Sequence, residues 1–173
     1  MGRDQQGEVC GRRTLAHYWQ AFVPRKSRLA KSETIAVLRK LLIPTFTERL
    51  YGFTIPDADK IYACDHDGSF EIMLGDSPNV EVLEDNPYAF IASFENALGI
   101  PDGIPIHRLN GVEVSYSFDG REDFVIVTVR RGDQTETISF RTLSGDWFVA
   151  TLSKCGKHLV LAEPYLLECY ELT

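Results

Sequence analysis

Residues 111–162 read GVEVSYSFDGREDFVIVTVRRGDQTETISFRTLSGDWFVATLSKCGKHLVLA. Apolar and polar residues alternate from Val112 to Phe118, which is the period of a strand with one buried and one solvated face. The segment from Phe124 to Arg131 is rich in β-branched residues and apolar on both faces near its centre, which indicates an interior strand. Short turns separate five such segments, so the sequence predicts an antiparallel meander of about five strands in 111–162.

A further strand region lies in residues 61–83. The apolar segments Ile61–Cys64 and Phe70–Leu74 flank the polar sequence Asp65-His66-Asp67-Gly68-Ser69. An Asp-Gly step between two apolar runs is typical of a β-hairpin. After another turn, Val80–Leu83 predicts one additional strand.

Three segments have the apolar spacing or the end signals of a helix. The first spans Leu15 to Phe22, the second runs from an N-cap at Ser32 to Leu50, and the third covers residues 87–98 after an N-cap at Asn86. Residues 165–172 fit either a helix or a strand. We therefore predict an α+β fold in which the antiparallel sheet, the hairpin and the additional strand pack with three helices.

Charge is distributed unevenly along the chain. Residues 1–50 contain ten Lys/Arg and four Asp/Glu, whereas residues 51–173 contain eight Lys/Arg and 21 Asp/Glu, a balance of −13. We predict a basic N-terminal arm with a short amphipathic helix in 1–30 and a single α+β domain in 31–173. The acidic domain argues against a nucleic-acid partner, because phosphate binding needs a basic surface.

Composition places the chain among intracellular globular proteins. Hydrophobic residues make up 44% and charged residues 25% of the sequence, which are ordinary globular values. No run of about 18 apolar residues is present, and the N-terminus lacks the pattern of a secretion signal. We expect a cytoplasmic location without a membrane partner. The four cysteines form no CxxC pair, so we expect reduced thiols.

Catalytic signatures are missing from the sequence. It contains no Gly-x-Ser-x-Gly elbow, no glycine-rich phosphate loop before a helix and no His-Glu-x-x-His pair. We therefore predict no catalytic residue and no cofactor, and we favour a protein that is not an enzyme. Glutamates and aspartates are numerous, but paired acid–base catalysis needs a cleft that a sequence does not reveal.

Two weak metal-binding patterns compete with simpler interpretations. Asp65 and Asp67 resemble the opening of a calcium loop, but predicted strands flank them and the glycine comes early, which favours a hairpin turn.

Cys64 with His66, and Cys155 with His158, could together supply two sulfurs and two nitrogens to zinc if the two loops were adjacent. The alternative is that Cys64 packs as a small hydrophobe and both histidines are solvated. We predict no metal site.

The segment from residue 61 to residue 98 is similar to the central part of the SUKH superfamily, which includes many bacterial immunity proteins against polymorphic toxins. The resemblance rests on the hairpin Asp67–Ile72, the strand Val80–Val82, and a helix bearing Ala92-Ser93-Phe94-Glu95 after an acidic segment. It implies an α+β binding protein that covers the active site of another protein.

These observations favour a non-enzymatic protein-binding module, such as an immunity or inhibitor protein that covers a toxin or another basic enzyme with an acidic surface. The candidate partner-binding residues are Asp65, Asp67, Asp76, Glu81, Glu84 and Asp85. One alternative is a small-ligand-binding protein or enzyme with a pocket between the sheet and helix 87–98, lined by His107, Glu163 or Tyr165. Another is a structural unit that forms a homo-oligomer through the N-terminal arm.

Overall fold

The computed structural model of the chain describes residues 38–101, 103–119 and 121–173. These residues form thirteen strands and one short helix. The predicted α+β fold with three helices is therefore wrong, because the described part of the chain is nearly all β. The predicted basic arm in 1–30 and its helix lie outside the described residues.

Strands and helix follow one another with short connections. In chain order they are β1 (Leu38–Leu41), β2 (Gly52–Thr54), β3 (Lys60–Cys64), β4 (Ser69–Met73), β5 (Asn79–Leu83), α1 (Pro87–Ala92), β6 (Ala97–Leu98), β7 (Arg108–Leu109), β8 (Val112–Asp119), β9 (Phe124–Arg131), β10 (Gln134–Arg141), β11 (Val149–Leu152), β12 (His158–Glu163) and β13 (Leu166–Leu172). The hairpin β3–β4 and the strand β5 confirm the strand predictions for residues 61–83. The undecided segment 165–172 contains strand β13.

The strands pair into three antiparallel sheets. We call them the front sheet, in the order β5-β4-β3-β2-β6, the central sheet, β1-β13-β12-β11, and the back sheet, β10-β9-β8-β7. The first described strand, β1, forms one edge of the central sheet and pairs with the last strand, β13. Leu38 lies opposite Leu172, and Leu41 lies opposite Cys169.

Strand β12 explains why the central sheet lies between the other two. All six of its residues are buried. Leu159 and Leu161 belong to the same apolar cluster as the valines of β8 and β9 in the back sheet. Val160 and Ala162, on the opposite face of the strand, pack with residues of the front sheet such as Phe53. The fold is thus a three-layer β-structure with an apolar core on each side of the central sheet, and an uninterrupted apolar strand fits only its middle layer.

The predicted single meander in 111–162 is wrong. Strands β8, β9 and β10 form one meander in the back sheet, but β11 and β12 belong to the central sheet. The continuous apolar run of β12 needs burial on both faces, and the back sheet has one open face, on which Ile126 of β9 is 42% exposed. The chain therefore changes layer between β10 and β11.

The predicted helix from Ser32 to Leu50 is also wrong within the described residues. Leu38–Leu41 forms β1, and residues 42–51 have no regular secondary structure. Pro44 lacks the backbone donor that a helix interior needs, and the edge of β13 offers β1 a complete hydrogen-bonding partner. Tertiary pairing has overridden a helical apolar spacing.

The predicted helix over 87–98 is half as long in the structure. The side chain of Asn86 caps α1 by accepting a hydrogen bond from the backbone of Ala89 at 3.1 Å, as the sequence predicts. The helix ends at Ala92 because Ala97 and Leu98 pair as β6 with β2 and become buried. Burial of Leu98 against Phe53 favours the strand over a longer helix.

Candidate functional site

The turn between β3 and β4 is organised by the side chain of Asp65. Its Oδ1 atom accepts hydrogen bonds from the backbone N–H groups of Asp67 at 2.8 Å and Gly68 at 2.7 Å. Its Oδ2 atom accepts a hydrogen bond from the hydroxyl of Thr47 at 2.8 Å. This confirms the hairpin-turn interpretation, because an aspartate that bonds its own turn is a common turn device. Both oxygens that a calcium loop would use already accept hydrogen bonds within the chain.

An aromatic cluster joins this turn to the start of α1. The Nδ1 atom of His66 lies 2.8 Å from the hydroxyl oxygen of Tyr88, within hydrogen-bonding distance. The ring of Tyr51 lies 5.2 Å from that of Tyr88 and 5.4 Å from that of His66, between ring centroids. Tyr88 remains 46% exposed, so the cluster presents an ordered aromatic ring to solvent.

Four of the six predicted partner-binding carboxylates meet at this end of the front sheet. Strand β5 ends beside the turn, because Leu83 pairs with Ser69 and the Ser69 hydroxyl donates to the backbone oxygen of Asp85 at 3.5 Å. We call this end the acidic corner, and it comprises Asp65, Asp67, Glu84, Asp85 and Tyr88. The hairpin register alone brings residues 65–67 and 84–88 together.

Asp76 and Glu81 lie away from the acidic corner. Asp76 lies in the β4–β5 connection at the opposite end of these strands, where its carboxylate pairs with Arg39 at 3.1 Å. Glu81 lies in the middle of β5, directly opposite Glu71 of β4. A hydrogen bond from Lys60 lowers the pKa of the Glu71 carboxyl. The six predicted carboxylates therefore do not form one patch.

A groove of about 370 Å³ runs beside the acidic corner. It is lined by residues 45–49, which precede β2, and by residues 65–67 of the turn. Arg49 on its rim is already paired with Asp146 at 3.1 Å. The groove is therefore an open surface feature whose one arginine has a carboxylate partner within the chain.

The structure separates the four residues that the sequence offered as candidate zinc ligands. Cys64 is fully buried beside Ile91 and Ala97, and burial raises the pKa of its thiol to about 11. His66 belongs to the aromatic cluster described above. Cys155 lies elsewhere, in the turn between β11 and β12, and His158 begins β12, so the candidate Cys₂His₂ arrangement is absent from the described residues.

Cys155 and His158 have instead a third neighbour that the sequence did not indicate. One ligand atom each from Asp59, Cys155 and His158 lie within 4.8 Å of one another. The Nδ1 atom of His158 is 3.6 Å from Oδ1 of Asp59. Burial lowers the pKa of His158, and the negative charges of Asp59 and Glu171 oppose this shift.

Asp59 reaches this position through a tight turn. Asp57 and Lys60 exchange both of their backbone hydrogen bonds at 2.9 Å, and the two residues between them, Ala58 and Asp59, have φ values of 45° and 60°. Positive φ at both central positions identifies a type I′ turn, for which Ala is an uncommon residue. The sequence Pro-Asp-Ala-Asp predicts a turn here but does not indicate what the turn contacts.

The cavity expected between the sheet and helix 87–98 is a shallow groove of about 360 Å³. Asn96 on its wall exchanges hydrogen bonds with the backbone of Ile104. Of the predicted lining residues, Glu163 is 1% exposed and accepts two backbone hydrogen bonds, whereas Tyr165 is exposed and His107 packs against Tyr116. These three side chains do not line the groove.

Comparisons with known proteins leave the family open. No protein-family model, curated protein or solved structure matches this chain. Among the residues that the structure describes, no helix has the length and apolar character needed to cross a membrane.

Proposed function

We propose that the protein is a non-enzymatic binding module that uses the acidic corner to cover a basic surface of another protein. The observation that carries this proposal is the placement of four carboxylates at the same end of the front sheet as one exposed tyrosine. Asp67, Glu84 and Asp85 are exposed, and none forms an ion pair with a described residue. Their charge is therefore available to a partner.

Carboxylates elsewhere on the described surface often have partners within the chain. Asp57 pairs with Lys154, and Glu113 pairs with Arg108. Asp146 likewise pairs with Arg49. Because such pairs neutralise charge locally, the unpaired carboxylates of the acidic corner concentrate negative potential at one end of the front sheet. Opposite potentials accelerate the encounter of two proteins and select their relative orientation.

Tyr88 supplies the apolar contact that charge alone does not provide. Tyrosine is enriched among the residues that dominate binding energy, and such residues typically lie at the centre of an interface within a polar rim. The hydrogen bond to His66 and the ring contact with Tyr51 order the side chain before binding. Less conformational entropy is then lost when the complex forms.

The partner proposed on these grounds is a basic protein, with a toxin or a basic enzyme as the class favoured by the resemblance to SUKH immunity proteins. In that case the acidic corner inhibits by covering the partner's substrate-binding surface. No catalytic step is assigned to the module itself, and the inhibition requires only that the complex exclude the partner's substrate.

The proposal is tested by purifying the tagged full chain from its native cells and identifying a stoichiometric partner. The affinity of that partner is then measured for the triple variant Asp67→Lys, Glu84→Lys, Asp85→Lys. We expect affinity to fall at least ~10-fold, with most of the salt dependence of the association rate removed.

The matched control reverses three exposed carboxylates outside the acidic corner, Glu95→Lys, Glu122→Lys and Asp133→Lys. The net charge of the two triple variants is identical, so the control isolates the location of the charge. We expect the control to bind within about twofold of the wild type at physiological salt. Absence of a stoichiometric protein partner, or equal weakening by both triple variants, contradicts the proposal.

A further inference from the structure

The imidazole of His158 is a buried group with an unused nitrogen. The side chain is 4% exposed, and its Nδ1 atom has no hydrogen-bond partner among the described residues. Leaving a buried polar atom without a partner is unfavourable, because the atom has lost its hydrogen bonds to water. The carboxylate atom Oδ1 of Asp59 lies 3.6 Å from this nitrogen, which is too far for a good hydrogen bond.

We propose that Asp59, Cys155 and His158 form a binding site for a zinc-class divalent cation. The three residues offer one carboxylate oxygen, one thiol sulfur and one imidazole nitrogen within 4.8 Å of one another. Thiolate and imidazole ligands select zinc and its chemical relatives over magnesium and calcium, which prefer oxygen. Three protein ligands leave a fourth tetrahedral position for water or another ligand.

The distances suit such an ion. Zinc binds nitrogen and oxygen at about 2.0–2.2 Å and sulfur at about 2.3 Å, so neighbouring ligand atoms in a tetrahedron lie about 3.3–3.7 Å apart. The Asp59–His158 distance of 3.6 Å already falls in this range. The Cys155 side chain is exposed, and rotation about its single side-chain torsion adjusts the remaining distances.

Ser153 positions the two ligands of the β11–β12 turn. Its hydroxyl oxygen accepts a hydrogen bond from the backbone N–H of His158 at 3.0 Å and lies 3.4 Å from Sγ of Cys155. The backbone N–H of Gly156 donates to the Ser153 carbonyl at 2.9 Å, which closes the turn. Groups that hold metal ligands in place in this way raise the affinity of a site.

Lys154 holds the turn that carries Asp59 against the turn that carries Cys155. Its backbone N–H donates to the carbonyl of Pro56 at 3.0 Å, and its ammonium group pairs with Asp57 at 2.9 Å. These two contacts involve residues close in sequence to the proposed ligands, since Pro56 and Asp57 shortly precede Asp59 and Lys154 directly precedes Cys155. The site is therefore preorganised by contacts that do not involve the ligand atoms.

The charges around the site leave Asp59 available to a cation. A cavity of about 160 Å³ beside Asp59 and His158 is also lined by Arg39, Asp76, Lys157 and Glu171. Arg39 forms ion pairs with both Asp76 and Glu171, so these two carboxylates already have a partner within the chain. The carboxylate of Asp59, with the Cys155 thiolate, supplies the negative charge that a divalent ion requires.

A cation at this position would join the front sheet to the central sheet. Asp59 belongs to the turn that leads into β3, whereas Cys155 belongs to the connection between β11 and β12 and His158 is the first residue of β12. Because the three ligands come together only in the folded chain, metal binding stabilises the native state by mass action. The site differs from the acidic corner in its residues and in its ligand.

The test uses the full chain after removal of metals by a chelator. We expect calorimetry to show one Zn²⁺ per chain and Co²⁺ to give a sulfur-to-cobalt charge-transfer band. Zn²⁺ should also raise Tm, whereas Mg²⁺ and Ca²⁺ should not. Cys155→Ser should abolish the cobalt band and weaken Zn²⁺ binding by more than about 100-fold, since loss of a supporting group alone costs 10–100-fold.

Asp59→Asn provides a second variant that leaves the buried histidine in place, and we expect it to weaken Zn²⁺ binding while the cobalt band persists at saturating Co²⁺. The controls are Cys10→Ser, which removes the cysteine outside the described residues, and His66→Gln, which alters the other histidine considered as a candidate zinc ligand. Both should bind Zn²⁺ as the wild type does. Failure of the wild type to bind Zn²⁺, or unchanged Zn²⁺ binding by Cys155→Ser, would overturn the proposal.

Discussion

The carboxylate of Glu163, at the end of β12, accepts a hydrogen bond from the backbone N–H of Leu143 at 3.0 Å. Its second oxygen accepts one from the N–H of Ser144 at 3.2 Å. The side chain is 1% exposed, and its two bonds fix the segment in which the chain leaves the back sheet for the central sheet. Glu163 thus holds the backbone of the segment in which the chain changes layer, a role different from the ligand contact that its place in the sequence suggested.

Glu163→Gln is expected to destabilise the protein by about 1–3 kcal/mol, because the amide nitrogen faces a backbone donor that loses its acceptor. Urea unfolding measures the free energy, and limited proteolysis should show earlier cleavage near residue 144. The control Glu122→Gln changes an exposed carboxylate and should be neutral. Equal stability of Glu163→Gln and wild type would show that the two bonds do not support the segment.

Shortening an apolar side chain on either face of strand β12 should destabilise the protein. Leu161→Ala opens a cavity toward the back sheet and is expected to cost about 2–5 kcal/mol. Val160→Ala removes two methyl groups that face the front sheet and should cost about 1–2 kcal/mol. Ile126→Ala, on the exposed face of β9, should cost less than about 1 kcal/mol. Urea unfolding measures the free energy of unfolding of the three variants. An unchanged free energy for Val160→Ala would contradict the three-layer arrangement.

Two buried thiols should make stability fall at alkaline pH. Burial raises the pKa of Cys169 from 9.0 to about 12 and that of Cys64 from 9.0 to about 11. Both thiols have a higher pKa in the folded chain than in the unfolded chain. Their contribution to stability is therefore complete below pH 9 and is lost as pH rises toward 11–12. Urea unfolding should give a lower free energy of unfolding at about pH 10.5 than at pH 8.

The variant Cys169→Ala provides the comparison for this pH effect. It should show a smaller difference between the two pH values, because one of the two ionisations is removed. At pH 8 a thiol reagent should label Cys155 in the native chain and reach Cys64 and Cys169 only after unfolding, since the thiolate is the reactive species. Rapid native labelling of Cys169 would contradict its burial.

Gly103 should resist substitution because of a backbone neighbour. A Cβ atom at this position would lie 2.1 Å from the carbonyl oxygen of Ala97 in β6. Strand β6 would have to move, so Gly103→Ala is expected to destabilise by at least about 1–3 kcal/mol. Gly68→Ala is the matched control, because its nearest neighbour is the ring of Phe70 at 3.3 Å, a side chain that can rotate. Thermal unfolding compares the Tm of the two variants. A smaller decrease in Tm for Gly103→Ala than for Gly68→Ala would contradict the close approach of Gly103 to the Ala97 carbonyl.

Sequence patterns predicted strands well where one face of the strand is wet. The alternation in β8 and the Asp-Gly step between β3 and β4 are local features, and the structure has these elements within a residue or two. The cap at Asn86 was predicted for the same reason, since capping involves residues only three apart.

The same patterns gave wrong predictions where one spacing of apolar residues was compatible with both a helix and a strand. Leu38 and Leu41 suit one face of a helix, but they also suit β1, whose pairing with β13 decides between them. Leu98 fits a helical stripe with Ile91 and Phe94, yet its burial beside Phe53 places it in a strand. Local spacing could not resolve these cases because the deciding partner lies far away in the sequence.

The sequence by itself determined where many of the strands and turns lie, because alternation, glycine and asparagine act on neighbouring residues. Only the tertiary structure decided that β12 has a sheet on each face, that residues 65–67 meet residues 84–88, and that Asp59 lies beside Cys155 and His158. These contacts depend on the burial of apolar surface between distant segments, and that free energy belongs to the packed chain as a whole.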